Sequence, residues 1–476
     1  MITPPGCKSH QQLESFKGLT LDGSPEAENL HALQRRRKST KRKAHRPDFR
    51  APISVLPREL LQEIFEWGWG FAPEISTPPF EVTVSHVSSS WRAAALSTPL
   101  LWSTLDISLR SKLDFIEAYL QRSKKYPLEL RFDFFWRSER SGSFTSVENI
   151  FDLVIAQSGR WNRFFAEGDI DSPIVTLVKR CRDVAAPQLS HFSIFIESDF
   201  PEPDTPEIDF RPQIFTGAAP LLDTVRLGGI ALRECRPPLD SVTILDLKEI
   251  SRWTRITYNR FRDMVTSCPA LTKLIIKQQV IQQESWPDLI INSIPLPSLR
   301  FLRFQGYPDS VSKVLLAISA IHLESLSFND IHHNALYDFF KSCQARPTSL
   351  PFPCLTTLSL ESLNWGKSQW QSLFQAFPTI MHVEFTCRFT GFTRCLGQTV
   401  GSTVPLPDLH SVTIRHVYYN DDQESHDYIY DFISDRISTG RPIQRLFLDN
   451  AEEAATDRMD WLREQVQIEI LDEEAG

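Results

Sequence analysis

The feature that most restricts the fold is a recurrence. An apolar-x-x-apolar-x-apolar signature, filled by Leu, Ile, Val or Phe, starts at Leu189 and returns at Leu222, Leu239, Leu271, Leu299, Leu323, Leu355, Ile380, Leu409 and Ile443. Ten copies in that span repeat about every 28 residues, within the range of repeat architectures. In each copy the alternate apolar positions read as a short strand with one face turned inward; the third is read as Leu239, Val242 and Ile244. Several copies follow a Pro-led turn (PALTKLII, PSLRFLRF, PCLTTLSL, PDLHSVTI), and helix-period stretches such as FRDMVTSC, SVSKVLLAIS, ALYDFFKSC, WQSLFQAF and DYIYDFISDRI lie between them. A unit this small cannot bury its apolar face alone, so neighbours must stack.

That layout resembles leucine-rich repeats. The predicted fold class is α/β: a small N-terminal helical module followed by an irregular leucine-rich-repeat-like α/β solenoid over residues 186–450. The Asn or Cys that closes the strand in tight repeats is not consistent here. A doubly wound parallel sheet is the alternative, and ten similar strands argue against it. A chain of 476 residues with 41% hydrophobic and 11% aromatic content is no wholly disordered protein. No run approaches the roughly 18 apolar residues of a membrane span. The opening MITPPGCKSHQQ lacks the layout of a secretory signal. The expectation is an intracellular protein, cytoplasmic, nuclear or both, with no membrane partner.

Charge is unevenly placed. The formal net charge is -8, yet residues 1–50 carry 11 Lys and Arg against 5 Asp and Glu. Residues 1–50 read as a disordered basic tail, and the run RRRKSTKRKAHR from Arg35 to Arg46 as either a nuclear signal, a nucleic-acid contact or a solvated arm. The remaining chain is acidic, which makes nucleic acid an unpromising partner. Residues 108–185 are read as connecting helices and strands that begin the repeat body. Residues 451–476 are read as an acidic cap or tail, in which MDWLREQVQIEIL suits a helix and a strand.

Residues 51–107 follow a helical pattern. In LPRELLQEIFEWG, Leu56, Leu60 and Ile64 recur at intervals of four with Leu61 and Phe65 beside them. Pro57 and Glu59 suit a first helical turn. A second helix is expected with Val84, Val87, Trp91 and Ala94 or Ala95 on one side, stopped at Pro99. These helices and the Leu100-Leu101-Trp102 after them carry more apolar surface than two short helices can cover between them, which points to a partner.

The combination of LPRELLQEIF with VSHVSSSWRAAALSTPLLW resembles an F-box, in particular that of the large F-box family of mushroom-forming fungi. Its joint, GWGFAPEISTPPFEVT, is longer than the commoner pattern. The resemblance implies a non-catalytic substrate-recognition subunit of an SCF (Skp–cullin–F-box) ubiquitin ligase. It would bind an Skp-type adaptor, and through it cullin–RING, with a protein substrate on the repeat body. It places the adaptor contact on Leu56, Pro57, Leu60, Leu61, Ile64, Phe65, Val84, Val87, Trp91, Arg92, Leu101 and Trp102. A non-ligase repeat scaffold or a nuclear interaction protein is the alternative.

No G-x-S-x-G, H-E-x-x-H, Walker-type or G-x-G-x-x-G motif occurs. Eight cysteines without metal or CxxC spacing read as free thiols. His332-His333 with His322 lacks a fitting carboxylate or thiol, DDQESHD reads as a polar loop, and GWG and LGG read as turn glycines. No catalytic residue, cofactor or metal is therefore expected.

Overall fold

The computed structural model describes residues 56–70, 78–135, 145–169, 173–197, 214–288, 290–346, 351–363, 365–386, 395–396, 404–415, 424–448 and 456–471. The chain divides into residues 1–60 and 61–476, and the second unit contains every strand among the described residues. Among the described residues there are 13 α-helices and one large parallel sheet of 14 strands. These are β1 Thr104–Ser108, β2 Leu128–Phe134, β3 Trp161–Asp169, β4 His191–Glu197, β5 Thr224–Gly229, β6 Ile244–Lys248 and β7 Lys273–Lys277. They continue as β8 Phe301–Gln305, β9 Ser325–Asn329, β10 Thr357–Glu361, β11 His382–Thr386, β12 Ser411–Arg415, β13 Arg445–Leu448 and β14 Gln467–Ile470. A separate parallel pair joins Ile294–Pro295 to Ile318–Ser319. The expected helical stretches lie where their spacing puts them, at Tyr258–Thr266, Val311–Ala317, Tyr337–Ala345, Lys367–Ala376 and Glu424–Ser438.

Strand order follows the chain from β1 to β14 without reversal. A doubly wound sheet reverses at a switch point, so that alternative fails. Two apolar rows cross the sheet in register. One passes through Leu105, Leu274 and Leu446 and the other through Ile107, Ile276 and Leu448, all buried. Toward β2–β4 the rows turn aromatic, with Phe164 packed 5.3 Å from Phe132 and 5.5 Å from Phe192 between centroids. The alternate residues of each strand form the opposite, more open face.

Register corrects one reading. In β6, Leu245 pairs with Val225 and Leu274, while Ile244 falls in line with Thr224 and Lys273 on the open face. The third copy is therefore Val242, Leu245 and Leu247, not Leu239, Val242 and Ile244. Both windows satisfy the apolar pattern, and a shift of three residues exchanges the two faces of a strand. The sheet also begins earlier and ends later than the ten copies. Trp102-x-x-Leu105-x-Ile107 and Trp161-x-x-Phe164-x-Ala166 carry the same spacing with tryptophan in the first place.

The strands end in a shared turn. Gly229, Gln278, Gly306, Asp330 and Ser362, each the last residue of a strand or the next one, all have positive φ. The amides of Gln278, Gly306 and Asp330 donate to the neighbouring strand's Gln305, Asn329 and Glu361 carbonyls at 2.7, 2.9 and 2.9 Å. These bonds hold non-glycine residues in a region that ordinarily costs them about 1 kcal/mol. At Gly229 the demand is absolute: a Cβ would stand 1.9 Å from the Ile196 carbonyl oxygen. Gly440 has a similar φ of 71° but open space around it. Gly229→Ala should therefore lose well over the ~1 kcal/mol left-handed penalty expected of Gly440→Ala, measured by urea unfolding of both variants.

Candidate functional site

Three helices precede the sheet: α1 Arg58–Gly70, α2 Phe80–Ser85 and α3 Ser89–Ser97, followed by a 3-10 turn at Pro99–Trp102. The single second helix expected around Val84 to Ala95 is in fact split. Ser88 takes an extended conformation and its side chain accepts the Trp91 amide at 3.2 Å, which starts α3 afresh. The break parts two positions read as one face: Val84 turns inward and Val87 is 58% exposed. Arg92 bridges the break, its Nε donating to the Ser85 carbonyl at 3.0 Å.

Within residues 61–476 the module has its own core. Leu61 and Phe65 are buried, and the Phe65 ring lies 5.0 Å from that of Trp91. Gln62 donates to Ser97 at 2.9 Å. Gly68 allows close approach of Phe80, whose Cζ would be 2.8 Å from a Cβ there. Val84, Ala94, Ala95 and Leu101 are buried too.

Trp102 has a separate task. Its indole N–H donates to the Ala95 carbonyl at 2.8 Å, Tyr119 meets its ring at 5.0 Å nearly edge-on, and Arg122 lies over it at 4.3 Å. Tyr119 and Arg122 belong to α4, Leu113–Arg122. Trp161 repeats this device: its indole donates to Val154, seven residues back, in α5, Thr145–Ile155. Trp102 thus occupies the first apolar position of the first strand unit and closes helix onto sheet.

Of the sequence-nominated contact residues, Leu61, Phe65, Val84, Leu101 and Trp102 face inward, leaving no surface for a partner in this conformation. Leu56 and Trp91 are half-buried; Pro57 and Arg92 are exposed. Leu60 and Ile64 are 44% and 45% exposed, like Val87. Sequence reading passed over Trp67, at 72% the most exposed of the large apolar residues in α1, although it lies three residues after Ile64 on the same helical stripe.

One buried ionisable pair stiffens the module. The Tyr119 hydroxyl donates to the Glu81 carboxylate. Burial, first of all, raises the Glu81 carboxyl above its ordinary value; the tyrosine bond works in the opposite direction.

The other sequence candidates dissolve into structure. His332 accepts the Asn334 amide and caps a 3-10 turn, with the His333 ring 4.1 Å away and tilted by 40°. Burial pushes the thiols of Cys181 and Cys268 up to about 12 and that of Cys343 to about 11, the opposite of an activated nucleophile. Among the described residues no group of three His, Cys, Asp or Glu is placed to hold a metal, and no helix is long and apolar enough to cross a membrane. The Arg35–Arg46 run, Cys7, Cys387 and the DDQESHD side chains lie outside the described residues.

No family model matches the sequence, and no curated protein matches it. Among solved structures, a crystal structure of a Bacteroides fragilis protein is 11% identical over 74% of this chain and 76% of its own, with a TM-score of 0.31.

A raised carboxyl favours the protonated form in the folded state, so its contribution to stability is full at low pH and is lost as pH rises through the folded value. Glu81→Gln keeps an acceptor for Tyr119 and removes that loss. The variant's stability relative to wild type should grow between pH 4 and pH 7, as read from paired denaturant titrations; a constant difference would contradict this.

Proposed function

We propose that this chain is the substrate-recognition subunit of an SCF-type ubiquitin ligase, with an F-box-like module at residues 51–107 and a leucine-rich-repeat-like solenoid as its body. The reading rests on one observation above all. A module that already buries Leu61, Phe65, Val84, Ala94, Ala95 and Leu101 still exposes Ile64, Trp67 and Val87, together with Leu60 earlier in α1. Monomer surfaces tolerate scattered apolar residues, but aromatic and aliphatic side chains gathered on short helices are what protein interfaces bury. The sequence resemblance supplies the partner, an Skp-type adaptor, and through it cullin–RING.

Within residues 61–476 the proposed adaptor contact is accordingly narrowed to Ile64, Trp67 and Val87, and Leu60 precedes them along α1; Pro57 and Arg92 are exposed as well. The buried five act indirectly, by holding α1 to α3 in place. No reacting group is required of this chain. Its contribution is tethering, which raises the effective concentration of substrate near the transfer machinery.

Co-expression with an Skp-type adaptor, followed by size-exclusion chromatography, tests this. The wild-type chain should co-elute as a 1:1 complex. Leu60→Asp with Ile64→Asp should abolish the complex and leave the protein monomeric and folded, because both positions are exposed. Adaptor binding that survives the double substitution would refute the reading.

A further inference from the structure

Two arginines on the open face of the sheet have only a second claim on their carboxylates. In register across β3 to β5, Arg163 stands beside His191, and Phe165, Ser193 and Arg226 form the next row, which continues to Asp246 in β6. Arg163 lies 3.5 Å from Glu129, a carboxylate that Arg131 already holds at 2.7 Å. Arg226 Nε is 3.9 Å from Asp246 Oδ2, an oxygen to which Lys277 donates at 2.8 Å. A separation of 3.9 Å is too long for a hydrogen bond. Both arginines are exposed, so two planar forks of donors flank β4 with most of their capacity unspent.

The strand between them supplies a floor. Ser193 is the small residue of its row, buried between Phe165 and Arg226 in register, and it brings a hydroxyl to that floor. His191, on the same strand, is 9% exposed, and its ring lies 4.8 Å from that of Phe165. Arg163 covers the same phenyl ring at 5.0 Å. The His191 Nε2 has no hydrogen-bond partner, an uncommon condition for a buried polar atom. Burial, then Arg226 and Arg163, push the imidazole down to about 4, with Asp223 opposing them. The histidine is therefore neutral, under a positive field that nothing on β4 answers.

We propose that Arg163 and Arg226 together hold the side-chain carboxylate of an Asp or Glu on an extended segment of a partner protein, seated over Ser193 and beside His191. The arginines are two strands apart, about 10 Å across the sheet, a gap that two long side chains close from both sides. Each gives N–H donors in the charge-assisted geometry that carboxylates favour. Glu129, Asp223 and Asp246 border the site, so it takes one added negative charge and repels a polyanion such as nucleic acid. The chain's net charge of -8 acts in the same direction. The proposal deepens the substrate-receptor reading and rests on it only in taking the open sheet face as the partner surface.

The test is fluorescence anisotropy of the full-length chain with a labelled nonapeptide, Gly-Ser-Gly-Glu-Gly-Glu-Gly-Ser-Gly, and its Arg-for-Glu counterpart, at low ionic strength where exposed charges are least screened. Arg163→Gln with Arg226→Gln should weaken binding of the Glu peptide by about five-fold or more. Each single substitution should weaken it by at least about two-fold, so the test does not depend on the double variant folding. The charge-matched control Lys112→Gln with Lys341→Gln, at exposed positions outside the strands, should leave binding unchanged. An equal loss in the control, undiminished binding by both single variants, preference for the Arg peptide, or a thymidine nonamer bound as tightly as the Glu peptide would overturn the proposal. Adaptor co-purification of the same variants separates the two readings: a chain that selects the Glu peptide but takes no adaptor keeps this site and loses the ligase assignment.

Discussion

Everything in residues 61–476 depends on parallel strands being held in register, so that two apolar rows run unbroken across the sheet. No strand of five residues buries such a row alone. Each contributes two core side chains, and the neighbours on both sides complete the burial. This makes a single register error expensive, because a shift of odd length exchanges core and open faces. The left-handed turns at the strand ends reinforce the register through a second set of amide–carbonyl bonds. Gly229 and Gly306 sit where side chains would strike neighbouring atoms. The same constraint frees the opposite face. With the core rows fixed, alternate positions are available for charge and shape.

The helical module is tied to this sheet by Trp102. The residue sits where most later units carry Leu, Ile or Val, and Trp161 sits in the corresponding place ahead of β3. Each indole reaches back seven residues to a carbonyl of the preceding helix. A leucine in that place has no donor to offer, so these tryptophans mark units in which a helix end must be fastened. The module is then a set of helices docked onto the first strand unit, with its exposed apolar residues on α1 and at the α2–α3 break. Internal packing and external docking use different residues of the same short helices.

Much of the fold was legible in the sequence because it rests on spacing. Alternation at two residues marked the strands, helical spacing marked the stretches between them, and their recurrence implied stacking. What spacing could not settle was which of two overlapping apolar windows enters the core, as at Leu239–Leu247, where only cross-strand pairing decides. The strands before Leu189 were read as strands, but tryptophan in a leucine position at Trp102 and Trp161 hid that two of them carry the repeat's spacing. Of the candidate contact residues, Leu60, Ile64 and Val87 are exposed, whereas Leu101 and Trp102 are consumed by the chain's own packing, which no local pattern reveals. Trp67 lay on the helical stripe but beyond the motif that drew attention. The open-face row of Glu167, Phe195, Gly228 and Lys248 was invisible because only register across four strands brings it together.

In the proposed complex, the exposed residues of α1 and of the α2–α3 break receive the adaptor while the 3-10 turn stays internal. Hydrogen–deuterium exchange of the full chain with and without an Skp-type adaptor tests it most directly. Added protection should be confined to Arg58–Gly70 and residues 86–88, with Pro99–Trp102 and α4 unchanged. Protection centred on Pro99–Trp102, or none anywhere between residues 58 and 97, would contradict it.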